Sequence, residues 1–256
     1  MRIRTLAPLA AVALTALALT GCSGNDSASE LTTDAASEAA VETDTGTTDT
    51  TGAEAAGDVT TDPTAVLGDL PTVSGDEWLT AITDAERVFF DSAGDQALKV
   101  SIEVIDTAQG IATAETTYNP DDTFVATSTM TGPDGTSSTM DVACTADTCF
   151  RRVDGGPWEE TDRSQVERPV PGAVAAALQD LESSGTVTHA MADGTFAVAV
   201  DIPEAEGQPA GTASLTETIT DTTMVTAMVV NVGPDTSTTR STMSLGEPAP
   251  LPEDLP

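Results

Sequence analysis

The chain has 256 residues, with 42 Asp+Glu against 9 Lys+Arg, a formal charge of −33, one histidine and 3% aromatics. That charge argues against nucleic acid as a partner, since a polyphosphate needs a cationic surface. One histidine excludes His-rich metal sites and most His-dependent catalysis. The length allows one or two domains, and acidity with few aromatics points to a segment that buries too little apolar surface to fold.

Residues 1–21 read as a signal peptide: Arg2 and Arg4 precede an apolar run from Leu6 to Leu19, too short for a typical spanning helix of about 20 residues. The run ends in Leu19-Thr20-Gly21-Cys22, which resembles the lipobox of bacterial lipoproteins. In that family the cysteine thiol is acylated and the peptide is cut just before it. Cys22 is therefore the expected lipidation site. Cleavage leaves 7 Lys+Arg against 42 Asp+Glu, a formal −35. The expected location is the extracytoplasmic face of the cell membrane, held by two or three acyl chains.

Residues 22–71 contain no Lys, Arg or aromatic residue and show neither period 2 nor period 3.6. They read as a disordered acidic stalk with a reach of roughly 40 Å. A spacer is the leading reading; an acidic docking segment or an O-glycosylated stretch stays open. From 72 to 256 the texture is that of one folded domain. Ser74-Gly75-Asp76-Glu77 is a capping-box pattern, and Trp78, Ile82, Ala85 and Phe89 follow at helical spacing, which predicts a helix over about 75–92.

Leu98, Val100, Ile102 and Val104 then alternate with polar residues, the signature of a half-buried strand. Strand-like runs continue at 111–118, 123–131, 137–145 and 149–153. The turns between them include Asn119-Pro120-Asp121-Asp122 and Gly132-Pro133-Asp134-Gly135. A second helix is expected at about 170–182, then strands at 186–192, 195–201, 211–219, 223–232 and 236–245. Short connections and segregated helices predict an α+β fold. Its expected form is a strongly curved antiparallel sheet of about ten strands, a half-barrel with helices packed on the concave face.

Two features of this domain carry a family likeness: Val153-Asp154-Gly155-Gly156-Pro157-Trp158-Glu159-Glu160 and the closing Met243-Ser244-Leu245-Gly246-Glu247-Pro248. With the lipobox, stalk and helix-interrupted strands, they resemble the actinobacterial LppX/LprA/LprF/LprG lipoprotein family over roughly 74–256. The resemblance implies a half-barrel that binds an acylated lipid or glycolipid between sheet and helices and assists its transport to the outer cell envelope. The expected protein is a monomer held at the membrane by its lipid anchor, with an envelope transporter as a candidate partner. The family's ligand contacts are apolar and follow no motif, so no binding residue carries over by position. The longer, more acidic stalk and a close cysteine pair depart from the family.

Cys144 and Cys149 flank four residues between two expected strands. With Cys22 lipidated they form an even pair, and a hairpin disulfide is the expected state; free thiols or a redox pair are the alternatives. His189 reads as a partly buried, hydrogen-bonded strand residue rather than a catalyst. No G-x-S-x-G, phosphate-binding loop, Rossmann or HExxH pattern occurs, and no enzyme activity, cofactor or metal is expected.

Beyond Met1, all six methionines fall in expected strands. Met suits apolar ligands of variable shape, yet it also plugs irregular cores. Composition leaves both open, and the resemblance favours a cavity. The expected apolar lining is Trp78, Ile82, Phe89, Val100, Ile102, Phe196, Val198, Met224 and Met228. The alternative function is a ligand-free surface or signalling lipoprotein that binds a protein partner.

Overall fold

The computed structural model describes residues 66–163, 168–172, 185–204 and 209–256. The expected signal peptide, Cys22 and nearly all of the stalk lie outside these residues, as does the second expected helix beyond Gly172. Residues 170–172 are not helical; Gly172 sits in a turn at φ 84°.

Helix α1 (Gly75–Ser92) begins where Ser74, in extended backbone, accepts the Glu77 N–H on its Oγ at 3.3 Å. Such a cap contributes about 1 kcal/mol. The helix buries Trp78, Ile82, Glu86 and Phe89, spaced four, four and three apart along one face. Its last turn is tied to the sheet by Ser92 Oγ, which donates to Asp221 O at 3.2 Å.

The twelve strands among the described residues join in one antiparallel sheet. They are β1 (Thr72–Val73), β2 (Ala97–Asp106), β3 (Gly110–Tyr118), β4 (Phe124–Thr131), β5 (Ser137–Cys144), β6 (Cys149–Val153), β7 (Glu159–Thr161), β8 (Thr186–Ala192), β9 (Thr195–Ile202), β10 (Gly211–Ile219), β11 (Thr223–Val232) and β12 (Asp235–Gly246). Their spatial order is β1-β8-β9-β10-β11-β12-β2-β3-β4-β5-β6-β7. The sheet is not closed, and β1 and β7 are its edges. The expectation of about ten strands falls short because β1 and β7, at two and three residues, are too short to show a period. Of the two expected helices, α1 is present over Gly75–Ser92, and the second lies outside the described residues beyond Gly172.

Most ladders are hairpins between neighbours in sequence. The exceptions are β1–β8 and the central β12–β2 ladder, which pairs Met243 with Val100 and Ser241 with Ile102. Opposite residues share a face, so the register extends each row across the whole sheet. One row runs Phe196, Glu217, Thr226, Ser241, Ile102, Ala114, Ser128 and Met140. Helix α1 packs on that face, over β8, β10 and β11 above all.

Turn chemistry supports the register. Asp121 and Asp134 each accept the backbone N–H and the hydroxyl of the threonine two residues on, Thr123 and Thr136, so two Pro-Asp turns share one hydrogen-bond scheme. Those bonds hold both carboxyls below the usual carboxylate range. Gly110, at φ 102°, starts β3 against β4; a Cβ there would lie 2.1 Å from Thr131 O, so no other residue fits.

Cys144 and Cys149 are joined by a disulfide across the β5–β6 hairpin. The closed loop is short, so reduction is expected to cost only about 2 kcal/mol. Urea unfolding with and without reductant measures that difference. A loss above about 4 kcal/mol would mean that the bond restrains far more than its own hairpin.

Candidate functional site: the helix-bearing face

All nine residues of the expected lining lie on the helix-bearing face, and they divide into two buried clusters. Trp78, Ile82, Phe196 and Val198 pack with Val200 and Leu215, with Met228 against them. Phe89, Val100, Ile102 and Met224 pack with Leu98, Phe124 and Val142. Ile219 touches both groups. Trp78 anchors the first, its ring 5.4 Å from that of His189 and edge-on to Phe196 at 6.1 Å. His189 is buried, as expected of a structural strand histidine.

A polar seam accompanies these clusters. Glu86, on the same face of α1 as Ile82 and Phe89, is buried and accepts the Gly172 N–H. Glu217, on β10 between Phe196 and Thr226, is fully buried. Its Oε2 accepts a long 3.4 Å bond from Thr226, and its Oε1 has no hydrogen-bond partner among the described residues. Burial first, and the neighbouring Glu86 carboxyl second, push Glu217 up to about 8. Burial also raises Glu86, against the opposing pull of the Gly172 N–H. At neutral pH the Glu217 carboxyl is therefore mostly protonated, because burial and the nearby Glu86 carboxyl both disfavour its charged form.

The register also decides where the methionines point. Met191 pairs with Phe196, Met228 with Leu215, Met224 with both Ile219 and Met243, Met243 with Val100, Met130 with Ala112 and Met140 with Ser128. All six share the helix-bearing face. Only Met224 is buried; Met130 is 44% exposed and the other four are half-buried. Val104, Ala112, Met130, Met140 and Val153 form a part-open apolar strip at the end of the sheet near the β2–β3 turn.

Two clefts, of about 450 and 570 Å³, open on the far face of the sheet and not on this one. Among the described residues no three His, Cys, Asp or Glu side chains are grouped to hold a metal ion, and no helix is long and apolar enough to cross a membrane. The sequence reading missed Glu86 and Glu217, although both stand at positions in phase with apolar neighbours.

No family model and no curated protein matches the chain. Among solved structures, it is similar to an S-type phycobiliprotein lyase from Guillardia theta, at 7% identity and a TM-score of 0.27, over 66% of this chain and 98% of that one. A likeness at that level assigns no function.

Proposed function

We propose that the protein is a membrane-anchored extracytoplasmic lipoprotein, acylated at Cys22, whose sheet rolls into a half-barrel and holds an acylated lipid on its helix-bearing face. Its task is to shield acyl chains during transport to the outer cell envelope. This reading belongs with the LppX-like resemblance, and one observation supports it above the others. Six methionines share a single face, and five of them keep solvent exposure. Core-plugging methionines are buried; adaptable side chains left part-open suit an apolar ligand of variable shape.

Ligand would lie along the strip from Val104 to Val153 and reach towards the cluster around Phe89. Native mass spectrometry of protein purified from its own membranes tests this. The expected spectrum shows acyl mass on Cys22 and a separable, non-covalent lipid on the folded chain. Met140→Glu is expected to reduce that lipid several-fold, because a carboxylate on the strip is costly beside an acyl chain. Wild-type protein that never carries lipid would overturn the carrier reading.

A second reading is a surface lipoprotein that binds a protein partner. It is favoured by the close burial of Trp78, Ile82, Phe89 and Leu98, all at or below 1% exposure beneath or beside α1. The same spectrum separates the two: a lipid-free wild type supports the partner-binding form.

A further inference from the structure

The far face of the sheet has a chemistry of its own. One row there runs Thr242, Ser101, Glu115, Thr127, Asp141 and Arg152, from β12 across β2, β3, β4 and β5 to β6. The first five residues span four strand spacings, about 19 Å. The row floors the 450 Å³ cleft, and the 570 Å³ cleft shares Ser101, Glu115, Thr127 and Thr242 with it, so the two form one trough. Each part has the volume of an ordinary ligand site.

One wall is locked in place. Arg152 Nε donates to Asp141 at 2.7 Å, its Nη1 reaches Asp254 at 3.0 Å, and its guanidinium carbon lies 4.6 Å from the Trp158 ring centre. The C-terminal segment is tied down further by Asn119, which donates to Ala249 O at 2.7 Å and accepts the Ala249 N–H at 2.9 Å. That places Pro252 and Trp158 at the rim.

The floor is prepared as well. Thr127 Oγ1 donates to Asp141 at 2.8 Å. Burial would raise the Asp141 carboxyl, but its bonds to Arg152 and Thr127 outweigh that and hold it below the usual carboxylate range. Lys99, the only lysine in the chain, lies across Gly246, where a Cβ would sit 3.1 Å from Lys99 Cε. Neither Lys99 nor Glu115 has an ion-pair partner among the described residues.

Charge narrows the ligand. In a chain with 42 acids against 9 bases, the trough lines up Lys99, Arg152 and Arg240 with Glu103, Glu115 and Asp141, an even balance. A polyanion meets three carboxylates and a polycation three cations. Val125, Trp158 and Pro252 give the 450 Å³ cleft an apolar share, but Lys99, Glu115, Thr127 and Arg152 interrupt it, so an acyl chain would meet charges and hydroxyls along its length. Alternating hydroxyls, carboxylates and ammonium groups supply donors and acceptors in close succession, and an indole edges one end.

We propose that this trough binds a neutral oligosaccharide, the sugar hydroxyls bridging Glu115, Thr127 and Lys99, with one sugar ring against Trp158. The site is separate from the helix-bearing face and does not depend on lipid binding there. To test it, the full chain in mild detergent is titrated against neutral hexasaccharides built on glucose, mannose, galactose and N-acetylglucosamine, with a sulfated hexasaccharide and a cationic peptide as comparators. At least one neutral hexasaccharide is expected to bind with a sub-millimolar Kd, and neither comparator should match it. Glu115→Lys is expected to weaken that binding at least tenfold with an unchanged melting temperature, and Thr127→Val to weaken it as much with a lowered melting temperature, since it also removes a hydrogen bond from Asp141. No binding to any neutral hexasaccharide, tighter binding of the peptide, or full binding by both variants would overturn the proposal.

Discussion

Raising the pH from 5 to 8.5 is expected to remove several kcal/mol of folding stability, and Glu217→Gln is expected to abolish most of that loss. In the folded chain burial and the nearby Glu86 carboxyl hold Glu217 at about 8, against an ordinary value of 4.5. Between those values the native state keeps a proton that the unfolded state has released. Stability therefore falls as pH rises, by up to about 1.4 kcal/mol per pH unit from this group alone. Below 4.5 the group adds no slope, and above about 8 its penalty is complete. Glu86, also raised, adds a smaller slope of the same sign, which the Gln variant retains. Urea unfolding at pH 5, 7 and 8.5 for both proteins checks this. Parallel pH profiles would show that Glu217 is solvated or paired in solution.

Trp78→Ala is expected to cost about 3–5 kcal/mol, the range for emptying a large aromatic site in a core. Trp78 is 1% exposed and brings α1 against His189 and Phe196. Its indole N–H has no hydrogen-bond partner among the described residues, so the loss is one of packing, and Trp78→Phe should cost much less. Val88, 59% exposed on the same helix, is the control: Val88→Ala should change stability by no more than about 0.5 kcal/mol. Chemical denaturation of the three variants gives the comparison. A Trp78→Ala cost below about 1 kcal/mol would mean that α1 contributes little to the fold and rests loosely on the sheet.

Most of the sheet was legible because alternation persists over long strands. The runs expected at 211–219 and 223–232 are β10 and β11 residue for residue, and the capping box places the start of α1. What alternation cannot give is partnership. That β12 lies beside β2, joining the two halves of the chain at the centre of the sheet, is encoded in side-chain packing between distant segments and not in either segment alone. Each of the nine residues expected to line a cavity sits in an apolar phase, which puts them on one face, but phase does not say that they divide between two packed clusters.

The buried carboxyls were readable in principle. Ala213, Leu215 and Ile219 alternate in phase with Glu217, and Glu86 stands four residues after Ile82 and three before Phe89. A charged residue in an apolar phase marks either an exposed face or a buried acid. Neighbours alone decide between them. The trough on the far face was illegible for a related reason: its walls come from Trp158 and the C-terminal segment, which meet only once Arg152 has bridged Asp141 and Asp254.

The central position of β12 has a consequence for how the molecule is made. A chain synthesised from its N-terminus presents β2 to β7 long before β12 exists. Until the last strand arrives, β2 and β11 each have an open edge, with Val100 and Ile102 on one and Met224 and Val229 on the other. Such edges recruit foreign strands. Pairing over so long a sequence separation is also slow, since the loop must close before the contact is made. Strand β12 thus acts as a completeness check: a chain that stops short of 235 lacks the strand joining its halves and exposes two adhesive borders in place of one continuous sheet.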